Sequence, residues 1–167
     1  MPDVPAARSG LVLRKMVLSD LPDVVRIENR SFSTPWQEAT FRGLLRRRSA
    51  ALLAAEDAGR LVGYAVLWFA ANEAELGDIA VLPEARRRGL GRWILEGALR
   101  AARDRGAEEV YLEVREANVE ARRLYEKAGF ETIGTRPSYY SSPVEDAILM
   151  RRRFEPPESD ALPVPGR

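Results

Sequence analysis

The stretch "DIAVLPEARRRGLGRWIL", Asp78 to Leu95, decides the fold. It begins as an apolar strand and is stopped by Pro83, which has no N–H to give a sheet ladder. Three arginines and two glycines follow, and then an apolar pattern of helical period. In the helix, Leu90, Ile94, Ala98 and Ala101 line one side, while Arg92, Glu96, Arg100 and Arg103 line another. A strand–loop–helix unit presents unpaired N–H groups and about half a positive charge at the helix mouth, so it attracts phosphate. Gly89 and Gly91 remove side chains that would hold a phosphate off the backbone, and Arg86, Arg87 and Arg88 add charge around it. Three readings fit: an arginine-rich surface turn, a nucleic-acid patch, or a cradle for the diphosphate of a soluble cofactor. The spacing matches neither Gly-Lys-Ser/Thr nor G-x-G-x-x-G, and by itself it leaves the choice open.

Working outward, the same alternation of strand and helix continues in both directions. "LVLRKM" (11–16) reads as a strand, Ser19 or Asp20 caps a helix running to about Asn29, and Trp36 to Arg47 reads as a second helix. "ALLAAED" (50–56) and "RLVGYAVLWFAA" (60–71) flank Ala58-Gly59, a hairpin signal, and the second run is apolar enough for a central strand covered on both faces. "EAELGDIAVL" (73–82) is the strand before the glycine loop. After the helix closed by Gly106 come a strand at 108–114, a helix capped by Asn118 and ended by Gly129, and strands near 130–135 and 144–153. The order is β-α-α-β-β-β-α-β-α-β-β, a mixed central sheet flanked by helices in one α/β domain over 10–154. Pro-rich tails are expected at 1–9 and 155–167.

Composition narrows the chemistry. The 167 residues carry a formal net charge of +1, so no global field draws the chain to nucleic acid or an anionic membrane, and neither is expected as a partner. No apolar run reaches the length of a membrane span, and "MPDVPAARSG" lacks a signal-peptide core, so a cytoplasmic protein is expected. With no cysteine and no histidine, thiol nucleophiles, thiolate metal sites and the commonest general base are excluded. No metal is expected. An enzyme built from this sequence must use carboxylates, tyrosine, backbone amides or a cofactor.

"YLEVREANVEARRLYEKAGF" (111–130) supplies candidates. Alternation turns Tyr111, Glu113 and Arg115 to one face of their strand and Val110, Leu112 and Val114 to the other. Glu113 could be a solvated, paired carboxylate; Asn118 could be a helix cap; Tyr125 sits in the stripe Ala121, Leu124, Tyr125, Ala128 and could be a core residue.

These segments together resemble the GNAT superfamily of N-acetyltransferases. "RRRGLG" fits its R/Q-x-x-G-x-G/A signature, and "LEVR", then Asn, then "LYEKAGF" follow the order and spacing of its bacterial ribosomal-protein-alanine N-acetyltransferase branch. "SFSTPWQEATF" (31–41) and "RPSYYSSPVEDAILM" (136–150) resemble that branch outside the glycine loop, with a short "SSPV" between Tyr-Tyr and Glu-Asp. The resemblance implies acetyl-CoA as co-substrate. It implies cofactor contacts from Ile79, Ala80 and Val81 through backbone groups, and from Arg86, Arg87, Arg88, Gly89, Leu90, Gly91 and Arg92 around the diphosphate. Further cofactor contacts would come from Asn118 and Lys127. Trp36, Tyr139 and Tyr140 would meet the substrate, a protein N-terminus beginning with alanine on a small-subunit ribosomal protein. Glu113 would be the base and Tyr125 the acid, in direct attack without a covalent enzyme intermediate. A monomer or weak dimer is expected. Acetylation of lysine side chains or a small amine, and a non-catalytic acetyl-CoA-binding module, remain as alternatives.

The chemistry sets its own demands. At pH 7 an α-amine costs roughly 1–1.4 kcal/mol to deprotonate, against roughly 4.6 for a lysine, so an N-terminal substrate asks less of a carboxylate base. A phenol is a weaker acid than a thiol by about 1.5 units, so Tyr125 must either be acidified or give its proton as the C–S bond breaks. The scheme also requires that the Glu113 and Tyr125 side chains not lie on opposite sides of the sheet and that the helix mouth after the glycine loop be open.

Overall fold

The computed structural model describes residues 10–156, so the expected tails, apart from Glu155 and Pro156, lie outside the described residues. The chain runs β1 (Leu11–Lys15), α1 (Leu21–Ser31), α2 (Glu38–Leu45), β2 (Ala50–Asp57), β3 (Arg60–Ala70), β4 (Glu73–Val81), α3 (Leu90–Asp104), β5 (Glu109–Arg115), α4 (Val119–Lys127), β6 (Glu131–Tyr140) and β7 (Glu145–Arg153). This is the expected element order. The strands form one seven-stranded sheet in the order β1-β2-β3-β4-β5-β7-β6. Every neighbouring pair is antiparallel except β4 and β5.

Three boundaries differ from the sequence reading. The second helix starts at Glu38 rather than Trp36 and stops at Leu45 rather than Arg47; its cap residue Gln37 is extended, at ψ 159°. Asp20 stands just before α1 but does not cap it with its side chain. Its carboxylate instead accepts from the Val17 amide at 2.8 Å and from both terminal nitrogens of Arg14 at 2.8 Å, pinning the chain entering α1 to β1. The penultimate strand runs to Tyr140, beyond the expected 135, because β7 offers it a partner edge as far as Glu145. Pro137, which cannot donate, falls in the irregular register between Arg136 and Tyr140.

Helices cover both faces of the sheet. On one face α1 and α2 pack over β2, β3 and β4, and Tyr64 of β3 reaches Glu28 of α1. On the other, α3 lies over β3 and β4, with Gly63 directly beneath Ile94. Residues Leu61 to Leu67 of β3 are all buried, as expected for a central strand between helical layers. α4 lies beside α3, where Leu124 approaches Gly91. No helix among the described residues is long and apolar enough to cross a membrane.

The sheet is incomplete at its centre. β4 and β5 pair only at Glu73↔Glu109, Ala74↔Val110 and Glu75↔Tyr111, although both strands continue. The cause is local. Val66 of β3 faces Asp78 and Leu67 faces Leu76, so Gly77 is an extra residue with no partner, a β-bulge. A Cβ on Gly77 would fall inside the Trp68 ring, so only glycine fits there. The bulge bends β4 away from β5 immediately after their last shared pair, and the two strands splay apart.

Candidate active site

The split exposes main chain. The Leu82 amide donates to Val62 at 2.7 Å, towards β3. By strand alternation Ala80 faces β3 too, so the N–H and C=O groups of Ile79 and Val81 point into the split. The Val81 carbonyl is taken by Arg86 Nε at 3.1 Å; the remaining groups form a free edge to which an extended, amide-bearing arm can pair.

The glycine loop lies at the end of that edge. Arg87 (φ 64°) and Gly89 (φ 74°) are both left-handed, which curls the loop and aims successive amides inward. A left-handed φ costs a side chain roughly 1–2 kcal/mol, and glycine at 89 avoids it. No side chain caps α3, and the first amide bonded back into it is Trp93, which donates to Gly89 at 3.1 Å. The amides of Leu90, Gly91 and Arg92 are therefore left for a ligand, and the helix mouth is open. The arginines divide their work. Arg86 is a clasp, holding the Val81 carbonyl and the Ser31 hydroxyl at 3.1 Å; Arg88 pairs with Asp57 at 3.0 Å; Arg92 pairs with Glu96 at 2.9 Å. Arg87 has no ion pair among the described residues.

Beside this edge the split opens into a cavity of about 370 Å³. Its wall includes Trp36, Ile79, Glu113, Asn118, Tyr125, Tyr139 and Tyr140, seven of the expected site residues, from four different elements and the loops before α2 and α4. Ala80, Val81, the residues from Arg86 to Arg92 and Lys127 do not line this cavity; Lys127 is exposed on the last turn of α4. Asn118 caps α4, accepting from the Ala121 amide at 3.2 Å, as its position suggested.

Glu113 and Tyr125 reach the cavity from opposite faces of the sheet, contrary to the sequence expectation that they lie on one side, and what brings them into one cavity is the gap in the sheet. Tyr111, Glu113 and Arg115 share the face of the α1–α2 loop, where Arg115 reaches Ser33 Oγ at 3.3 Å. Tyr125 comes from α4, on the α3 face. In a closed sheet the backbone would divide them; the split leaves no ladder between them, and both line one cavity. Glu113 pairs with Arg136 at 3.4 Å and lies beside Tyr139, whose phenol it pushes up. Tyr125 is 8% exposed and its ring meets Phe130 edge-on at 5.8 Å. Its hydroxyl has no hydrogen-bond partner among the described residues. Burial, chiefly, pushes its phenol well above the ordinary value, so it stays protonated. Acidification of Tyr125 by its protein surroundings, one of the two possibilities left by the sequence, does not occur in this arrangement.

The rim is aromatic and cationic. Tyr139 and Tyr140 meet edge-on at 5.1 Å, and burial pushes the Tyr140 phenol up to about 12. Arg115 lies 4.4 Å over Tyr140 and holds the carbonyls of Ser141 and Pro143, tying β5 to the "SSPV" loop. Trp36 stacks on Trp68 at 6.0 Å and its amide donates to Glu28 at 2.9 Å.

Sequence reasoning missed the floor of the cavity, formed by Glu28 and Asp78, both buried. A signal existed for Glu28: it occupies the i+7 position of the α1 stripe Leu21, Val24, Glu28, where an apolar residue belongs.

Known proteins resemble this chain over most of its length. The model of the acetyltransferase (GNAT) family matches residues 21–130. A ribosomal protein bS18-alanine N-acetyltransferase of Salmonella typhimurium is 41% identical over 135 residues, covering 79% of this chain and 90% of that protein. The crystal structure of the ribosomal-protein-S18-alanine N-acetyltransferase from Escherichia coli superposes with a TM-score of 0.82 at 32% identity, covering 90% of this chain and 97% of that one. Ard1 from Thermoplasma volcanium superposes equally well, with a TM-score of 0.82 at 30% identity, covering 88% and 99%.

Proposed function

The chain belongs to the acetyltransferase (GNAT) family, and from that premise we propose that it transfers the acetyl group of acetyl-CoA to the N-terminal α-amine of an alanine, that of ribosomal protein bS18. The observation that carries this is the split between β4 and β5, which leaves a main-chain edge of β4 unpaired beside a cavity lined by the Glu113 carboxylate and the buried Tyr125 phenol.

In this reading acetyl-CoA supplies an activated acetyl thioester. The amides of Leu90, Gly91 and Arg92, with Arg87 beside them, hold its diphosphate, and the edge of Ile79 and Val81 pairs with its extended arm. The substrate's first residues enter over Trp36, Tyr139 and Tyr140. The amine nitrogen bonds to the acetyl carbon while the C–S bond breaks. Glu113 takes the amine proton, directly or through one water, and Tyr125 gives its proton to the departing sulfur. Because Tyr125 is a weaker acid than the thiol it protonates, its proton moves as negative charge grows on the sulfur and not before. The Val81 N–H, unpaired in the split, is placed to polarise the thioester carbonyl. An α-amine suits this machinery, since a lysine would ask about 3 kcal/mol more of the base at pH 7. The reading carries with it a cytoplasmic enzyme acting as a monomer or weak dimer.

The test compares two peptides by mass spectrometry: one beginning with free alanine, and one with its α-amine blocked and an internal lysine. Acetylation of the first at its α-amine, lost on blocking, supports the reading. Preference for the blocked peptide points to a lysine acetyltransferase, and calorimetric binding of acetyl-CoA without transfer points to a non-catalytic module.

A further inference from the structure

Among the described residues lining the cavity, Asp78 carries a fully buried side-chain oxygen, Oδ2, with no hydrogen-bond partner. It is 8% exposed, follows the Gly77 bulge, and precedes Ile79 at the free edge of β4. Its neighbour across the cavity floor is Glu28, 1% exposed, which already accepts from the Trp36 amide through Oε1 and from the Tyr64 hydroxyl through Oε2. Two carboxylates in contact and out of water cannot both be ionised. Glu28 accepts from two donors, one of them a side-chain hydroxyl, whereas Asp78 has only the Ile79 backbone N–H, so the shared proton is assigned to Asp78.

We propose that Asp78 and Glu28 hold one proton between them, and that Asp78 is a positioning residue for the incoming amine, donating to Glu28 while it accepts an N–H of the amine. This rests on the reading of the site as an amine acetyltransferase and deepens it. The chemistry favours a neutral acid at that point. An anionic aspartate would stabilise the ammonium form, which cannot attack; a protonated one accepts an N–H and leaves the nitrogen lone pair for the acetyl carbon. Proton removal then remains with Glu113.

The groups facing Asp78 are Glu28 from α1, Tyr64 from β3 and Tyr125 from α4. None is a cation, and burial and Glu28 together push the Asp78 carboxyl up to about 10. The proton is therefore held through the neutral range and released only at alkaline pH.

Asp78→Asn keeps a donor for Glu28 and an acceptor for the amine, whereas Asp78→Ala keeps neither. With an alanine-first peptide, Asp78→Asn should stay within threefold of the wild type at pH 7. It should also lose any alkaline fall in rate that ionisation of the pair causes. Asp78→Ala should raise the peptide KM about tenfold, with acetyl-CoA binding unchanged by calorimetry. Infrared spectra at pH 7 should show a carboxylic-acid C=O band that Asp78→Asn and Glu28→Gln each remove. Absence of that band, an unchanged peptide KM in Asp78→Ala, or an Asp78→Asn as impaired as Asp78→Ala would overturn the proposal. If the wild type acetylates no alanine peptide, the substrate reading falls, and the infrared band alone decides whether the pair holds its proton.

Discussion

Replacing Tyr125 by Phe separates chemistry from folding more cleanly than any other change in the site. The ring would keep its edge-on contact with Phe130 at 5.8 Å, and the hydroxyl removed has no hydrogen-bond partner among the described residues. Stability should therefore change by less than about 0.5 kcal/mol, and the melting temperature by no more than about 2 °C. Turnover should respond very differently. A positioned general acid contributes typically about 10²–10⁴-fold, or roughly 3–5 kcal/mol of barrier. The pH dependence has a definite sign. Burial raises the Tyr125 phenol, and a raised acid stays protonated up to its shifted value. The wild-type-to-mutant ratio should therefore be flat from pH 6 to about 9, below the ordinary phenol range. The assay is kcat against pH on an alanine-first peptide, with acetyl-CoA affinity by calorimetry as the binding control. A variant within threefold of wild type would refute the role. So would an alkaline limb below pH 9 that the mutation removes, since it would mean the phenol titrates where its environment forbids.

Glu113→Gln should lower kcat/KM for the same peptide by about 10²–10⁴-fold at pH 7 with the acetyl-CoA dissociation constant unchanged, and retention of full rate would remove Glu113 from the mechanism. Gly89→Ala forces a side chain to φ 74°, at roughly 1–2 kcal/mol, and should weaken acetyl-CoA binding measured by calorimetry more than it lowers the melting temperature; unaltered affinity would show that the loop does not hold the diphosphate. Asp20→Asn tests the clasp on β1. The Arg14 side chain, against the opposing effect of burial, lowers the Asp20 carboxyl, so its contribution is present above the unfolded carboxylate range near 4 and is lost as pH falls through the lower native value. In urea titrations the mutant should be less stable by about 1–3 kcal/mol at pH 7, with the gap shrinking below pH 4, and a gap independent of pH would exclude the ion pair as its source.

Most of the element order was legible because each element carries its own punctuation. Pro83 ends β4, Ala58-Gly59 turns the hairpin, and Asn118 caps α4 with the expected hydrogen bond. The errors fall where tertiary contacts overrule local signals. β6 passes through Pro137 because β7 supplies its edge, and Asp20 turns from its helix to Arg14. The site was legible where a motif concentrates it, in the glycine loop and around Glu113 and Tyr125. Glu28 and Asp78 were not, since they are 50 positions apart and, although Asp78 opens the stretch before the glycine loop, no motif joins the two. Only the sheet brings an α1 side chain over β4, and no spacing along the chain encodes that meeting.

Gly77 carries a consequence for how this protein tolerates change. Removing that single unpaired residue would place Leu76 and Asp78 in an uninterrupted ladder opposite Leu67 and Val66, with every side chain on its present face. The straightened strand could zip to its parallel neighbour past Tyr111, adding hydrogen bonds and closing the chamber. A Gly77 deletion should therefore melt no lower than the parent, and it should bind no acetyl-CoA. Because the opening is made of backbone, ordinary residue replacements around it can drift without shutting it. A change in chain length of one residue shuts it at once.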